Sequence, residues 1–166
     1  MFHVGDTIIY GVQGVCKIVS IEEKTMGGQA KTYFVLKPVE DQGATIYAPT
    51  DNEQVLKKMR RLLTDAQIDK LINSMETENA LWIENENARK ERYRAIIAGG
   101  DHLELIKMIK ALYVHKKERE AEGKRLHMSD ERFFKDAEQV LYNEFRYVLN
   151  LSSKDELISY INKRQK

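Results

Sequence analysis

GDTIIYGVQGVCKIVSIEEKTMGGQAKTYFVLKPV, residues 5–39, decides the fold of the first third of the chain. Short runs rich in Val, Ile, Thr, Tyr and Phe alternate with turn residues, a composition that suits half-buried strands. GDTIIYG, GVCKIVSIEEK and KTYFVLKPV read as three strands, and ATIYAPT, 44–50, as a fourth. Gly27 and Gly28 stand between the second and third runs, where an antiparallel hairpin needs a positive φ that glycine supplies without steric cost. Asp41-Gln42-Gly43 is a second turn signal, and Pro38 and Pro49 fall near the ends of runs, where a missing N–H does least harm. A fifth short strand around MRRLL, 59–63, would close a small barrel.

After Leu63 the spacing becomes helical. Thr64-x-x-Gln67, Asp101-x-x-Glu104 and Ser153-x-x-Glu156 each place a capping side chain three residues before one that can reach back, the pattern of a capping box. Ser129 offers a further N-cap, and Gly99, Gly100 and Gly123 offer helix stops. The expected helices are 65–75, 80–98, 102–121, 130–149 and 153–164. Leu103, Ile106, Ile109, Leu112 and Tyr113 should face the core from the third, and Phe133, Phe134, Ala137, Val140, Leu141, Phe145 and Val148 from the fourth. The expected architecture is therefore α+β: a β module over 1–63, then an all-helical domain over 64–166.

Charge divides along the same line. The 166 residues have a formal net charge of +1, with net −3 in residues 1–55 and net +4 in the remainder. Opposite signs suit a half that meets protein and a half that meets a polyanion. One cysteine, Cys16, excludes an intramolecular disulfide and suits a reducing compartment. No apolar run approaches the roughly 18 residues of a membrane span, and MFHVGDTIIYG lacks a basic segment leading into an apolar stretch. The expected location is the cytoplasm.

Enzyme signatures are missing: no G-x-x-x-x-G-K-[ST] loop, no G-x-G-x-x-G after a strand, no G-x-S-x-G elbow. His3, His102, His115 and His127 are far apart, and none pairs at helical spacing with another His or with Cys16, so no metal set emerges. The acid pairs Glu22/Glu23 and Glu84/Glu86 lie in charged surroundings, without the apolar setting that raises a carboxyl pKa for acid catalysis. We expect neither catalysis nor a cofactor.

ALWIENENARKERYR, 80–94, is the distinctive stretch of the second half. It holds the sole tryptophan, Trp82, followed by Arg89, Lys90, Arg92 and Arg94 within six residues. On a helix advancing about 100° per residue, Trp82, Glu86, Arg89 and Tyr93 would share one narrow face. Two readings stand: Trp82 is a core residue and the cations a solvated face, or a flat apolar side chain wedges against a base step while the cations hold phosphates.

Residues 1–38 closely resemble the N-terminal module of the CarD family of bacterial transcription regulators, itself similar to the polymerase-interacting module of the transcription-repair coupling factor. The resemblance rests on VGDTIIY, Gly14, the I-x-E run at 21–23, the Gly27-Gly28 turn, YFVLK and TIYAP, and continues through GGD at 99–101 and LIKMIKALY. It implies a Tudor-like (SH3-like) five-stranded barrel that binds the RNA polymerase β subunit. It also implies a helical domain that touches promoter DNA at the upstream edge of the bubble, where a tryptophan in the minor groove stabilises the open complex. The edge strand TIYAP would supply the polymerase contact by strand addition, with Ile46 and Tyr47 in it and Lys24 beside it. Tyr47 is equally readable as a plain barrel residue, since aromatics favour strands. Trp82, Arg89, Lys90, Arg92 and Arg94 would face DNA, with Lys124, Arg125 and Arg132 as further candidates.

Two positions depart from the family pattern. The usual tryptophan falls at Glu86, one helical turn after Trp82, and Tyr47 stands where many members carry arginine. Phosphate contacts carry no sequence information, so binding to DNA would be largely nonspecific and salt-sensitive. The protein is expected to act as a monomer in the cytoplasm, associated with the nucleoid through polymerase. The competing expectation is a protein-interaction adaptor that never touches DNA.

Overall fold

Two glycines at positive φ, Gly27 at 62° and Gly28 at 81°, turn strand β2 (Val15–Met26) back on β3 (Gln29–Pro38), with Met26 opposite Gln29. Positive φ at both central residues gives the turn a twist that matches the flanking strands. Around this hairpin the computed structural model, which describes residues 2–164 apart from the Met26 side chain, builds a Tudor-like five-stranded antiparallel sheet. β1 (Thr7–Tyr10), β4 (Ile46–Pro49) and β5 (Met59–Arg61) complete it in the order β4-β3-β2-β1-β5. All five expected strands form. A short helix absent from the sequence expectation, α1 (Glu53–Lys58), precedes β5; the Asn52 side chain accepts hydrogen bonds from the Gln54 and Val55 N–H groups and starts it.

One face of this sheet is the core of the first unit. Ile18, Leu36 and Ile46 are register neighbours across β2, β3 and β4, and they pack with Ile8, Cys16, Phe34, Ala48 and Met59. The pairing shifts between Ile18 and Ser20, leaving Val19 exposed. Such an extra residue bends a strand and sharpens its twist.

Contacts divide the chain into Met1–Leu62 and Leu63–Lys166. The second unit is a set of five helices: α2 (Asp65–Ser74), α3 (Glu86–Gly99), α4 (His102–Ala121), α5 (Met128–Leu149) and α6 (Lys154–Arg164). Its core joins Ile68 and Ile72 of α2, Tyr93 and Ile96 of α3, and Phe134, Leu141 and Phe145 of α5.

Local chemistry departs from the expectation at four places. Thr64 and Gln67 form the full capping box. Asp101 and Ser153 cap the third residue on, but Glu104 turns to Arg92, and Glu156 accepts from Ser152 instead of reaching back to Ser153. Ser129 lies inside α5, which starts at Met128 after His127. In α4, Leu103 and Tyr113 are solvent-exposed, while Leu105, Met108 and Ala111 join Ile106, Ile109 and Leu112 in the interior. The run LELIKMIKALYV is apolar at so many positions that either face could have been the buried one, and packing chose.

Cys16 is fully buried, and burial pushes its thiol from 9.0 up to about 11. Because the thiolate is the nucleophile, alkylation at pH 8 should be at least about a hundredfold slower in the native protein than in denaturant. The same shift makes folding favour the protonated thiol, so this group's contribution to stability is intact below pH 9 and falls as pH rises toward 11. Timed iodoacetamide labelling and an alkaline denaturation series check both statements.

Candidate functional site

The first unit presents its outer features at one edge. Among the described residues β4 has β3 as its one strand neighbour, so it is an edge strand, the position that strand addition requires. Tyr47 lies opposite Val35 and is 40% exposed, the Lys24 ammonium sits 4.3 Å from its ring centroid, and Tyr33 meets it edge-on at 6.3 Å. Lys24 and Tyr47 thus form one cation–aromatic pair, in which the lysine is held over the ring by the quadrupole of the π system. Ile46 is placed differently: it packs against the core, so it offers backbone rather than side chain to the outside. Tyr33 was not singled out from the sequence; its register partner Pro49 lies on the same edge strand.

In the second unit the helix expected over 80–98 begins only at Glu86, where Asn85 accepts from the Ala88 N–H as N-cap. Trp82 therefore lies outside the helix, in an irregular segment, and the shared helical face of Trp82, Glu86 and Arg89 does not exist. The offset of one turn from Glu86 loses its meaning with it.

Tertiary contacts fix the tryptophan instead. Its indole stacks on the His115 imidazole of α4 with centroids 3.9 Å apart and planes 24° from parallel, and the Arg89 guanidinium lies 4.4 Å from the ring centroid. Trp82 is half-buried, packed against the helical core but not sealed within it.

Arg89 is the principal correction. Its side chain is 4% exposed, and its Nε and Nη2 donate to the two carboxylate oxygens of Asp130, which is fully buried, at 3.0 and 2.9 Å. Nη1 donates to the carbonyls of Ile83 and Glu84 at 2.9 and 3.3 Å. A guanidinium occupied in this way has no donor face for a phosphate. Tyr93 adds a third anchor by donating its hydroxyl to the Leu81 carbonyl at 2.8 Å; burial pushes its phenol up to about 12, with Arg89 opposing and Asp130 reinforcing the shift.

The other cations remain at the surface. Lys90 pairs with Glu86 at 3.2 Å and Arg92 with Glu104 at 2.7 Å; Arg94 and Arg132 are exposed and make no ion pair among the described residues. Lys124 lies 3.8 Å from Glu122, and the exposed Arg125 accepts a hydrogen bond at its carbonyl from Arg119. These last residues belong to the α4–α5 connection, and α5 carries Asp130 at its start, so the Arg89 pair ties the connection to the Trp82 segment.

An antiparallel sheet with an open edge strand and an exposed cation–aromatic pair offers a partner both backbone groups and a polar-aromatic surface. Residues 2–63 match the family model of the CarD-like/TRCF RID domain, which supports an RNA polymerase-interacting, transcription-related role for this unit. The match ends at the boundary of the helical unit. No helix among the described residues is long and apolar enough to cross a membrane.

Removing one member of a buried ion pair strands the other charge, so Asp130→Ala should cost about 3–5 kcal/mol of stability. Arg89→Lys keeps the charge but not the fork that reaches two carbonyls and two carboxylate oxygens, and should also destabilise. Trp82 is the only tryptophan, so its emission reports its surroundings directly. Both variants should shift that emission to the red in the native state; unchanged emission and unchanged denaturation midpoints would show that the clamp does not hold the indole.

Proposed function

We propose that the protein is a transcription regulator that docks on the RNA polymerase β subunit through the β4 edge and contacts promoter DNA at the upstream edge of the bubble through the helical unit, lengthening the life of the open complex. The observation that carries the reading is the match of residues 2–63 to a polymerase-interacting domain, in a unit whose edge strand is free to pair. Lys24 and Tyr47 flank that strand pairing. Tyr47 replaces a fork-shaped cation with an aromatic surface, so the contact relies on Lys24 for charge and on Tyr47 for area.

For the helical unit, support comes from Trp82, half-buried at the surface and followed by Lys90, Arg92 and Arg94. Exposed ion pairs such as Arg92–Glu104 contribute only about 0.2–1 kcal/mol, so a phosphate can take over such a cation at little cost. Contacts of this kind are weak alone. Tethering to polymerase supplies effective concentration and lets a feeble grip act at the promoter. The protein needs no cofactor in this role and works as a cytoplasmic monomer associated with the nucleoid through polymerase.

Packing of the Trp82 ring by His115 on one side and Arg89 near it favours a second reading, an adaptor whose helical unit binds protein. Crosslinks from position 82 in a polymerase–promoter complex separate the two, since an adaptor gives crosslinks to protein alone.

Open-complex lifetimes on several promoters should rise when the protein is added, and Trp82→Ala should shorten them by about threefold, less than about 1 kcal/mol of barrier. Lys24→Glu should weaken polymerase binding by about tenfold through charge reversal at the rim of the contact, with only the small fall in denaturation midpoint expected from losing its pair with Tyr47. A wild-type protein without effect on any lifetime overturns the regulatory reading.

A further inference from the structure

We propose that the helical unit binds a small, neutral, largely apolar molecule carrying one hydrogen-bond acceptor, in a cavity between α4, α5 and α6 where the Tyr142 hydroxyl meets that acceptor. The inference is independent of the polymerase and DNA readings.

Helical spacing builds the cavity. Ile106 and Ile109 of α4, Phe134 and Leu141 of α5, and Ile161 of α6 are all buried. Within α4 and α5 each pair is three or seven residues apart and so shares one face. These faces, with Met75 at the side, line a cavity of about 470 Å³. Sites that enclose most of a small ligand span about 300–1,000 Å³ and are lined mainly by apolar side chains with few polar groups. Two polar clamps brace the walls. The Lys110 ammonium donates to the carbonyls of Met75, Glu76 and Glu78 at 3.2, 3.1 and 2.7 Å, fastening the chain after α2 to α4. Lys154 donates to Glu138 at 3.0 Å, joining the start of α6 to α5. A site braced in advance loses less to ordering when a ligand enters.

The class of ligand follows from the polar groups of the lining. Its charged residues are Glu76, Lys110 and Glu138. All three Lys110 donors are committed to backbone, Lys154 neutralises Glu138, and Glu76 is exposed to water. An ion buried against the apolar walls would go uncompensated, so the ligand is neutral. Tyr142 supplies the directional contact. The hydroxyls of Tyr93 and Tyr160 donate to the Leu81 carbonyl and to Asp69, whereas the half-buried Tyr142 makes no hydrogen bond from its hydroxyl to another described residue. Burial pushes its phenol up to about 12, with Glu138 reinforcing the shift, so at neutral pH the group stays a donor. A donor withdrawn from water gains from an acceptor brought to it. A ketone, ester or amide on an apolar body fits.

The test uses the full chain and prodan, a neutral aminonaphthalene ketone whose emission moves to the blue in apolar surroundings and to the red when its carbonyl accepts a hydrogen bond. Wild type should bind it saturably, one per chain, with a rise in the thermal unfolding midpoint. Tyr142→Phe should bind about threefold to tenfold more weakly, and its bound emission should lie further to the blue. Ile158→Trp, on the α6 wall, should fill the cavity and abolish binding. Circular dichroism should show both variants folded; if Ile158→Trp does not fold, Tyr142→Phe decides. Methyl naphthyl ketone should displace prodan at least about tenfold better than naphthoate, which has the same rings and a charge. No saturable binding by wild type, or wild-type binding by both variants, overturns the site. Unchanged affinity and emission in Tyr142→Phe overturn the hydroxyl contact, and equal displacement by naphthoate overturns the neutral class.

Discussion

The helical unit depends on the buried pair between Arg89 and Asp130. Taking both charges out of water is costly, and the attraction between them repays that cost only when the remaining donors and lone pairs are satisfied. Here the guanidinium makes four hydrogen bonds, two to the carboxylate and two to the carbonyls of Ile83 and Glu84. The second pair explains why the cation is buried at all. Between Met75 and Asn85 the chain is irregular, and the part-buried backbone carbonyls there take partners that a helix would have supplied. Arg89 serves two carbonyls, Tyr93 serves Leu81, and the Lys110 ammonium serves Met75, Glu76 and Glu78. Side chains from helices α3 and α4 thus stand in for the missing ladder, and the position of Trp82 follows from them.

The β unit was legible because its signals are local. Alternation of β-branched and aromatic residues marks each strand, and a Gly-Gly pair fixes a two-residue hairpin whatever lies elsewhere. The edge position of TIYAP was implied by the family resemblance rather than by its own residues, and the strand order agrees with it. What the local pattern missed was Tyr33, because its contact with Tyr47 comes from adjacent strands whose pairing is set by the sheet as a whole.

The helical unit was legible in its elements and not in its site. Four of the five helices both begin and end within two residues of their expected limits; α3 ends one residue from its limit but starts six residues late, since its N-cap, Asn85, sits in the run Glu84-Asn85-Glu86-Asn87, where several residues could cap. Arg89 and Asp130 are 41 positions apart, so their pairing has no local signal; Arg89 does stand four residues before the buried Tyr93 and seven before the buried Ile96, a spacing that Arg92 and Arg94 lack. The available hint was weak: Asp130 follows a stop at Gly123 and precedes a strongly apolar face, which brings a carboxylate close to the core.

With Arg89 committed to the interior, the basic stretch that drew attention to 80–94 has three exterior or half-exposed cations, and two of these already pair with Glu86 and Glu104. A positive surface built from α3 alone is therefore modest. The α4–α5 connection adds to it, because Arg125 and Arg132, with Lys124 beside Glu122, lie on or next to the element that Asp130 anchors to α3. A single buried salt bridge thus does more for a surface than any exposed cation: it spends one arginine to hold an indole and a second basic segment at one end of the same unit. Loss of that pair would disperse both features even with every exposed charge retained.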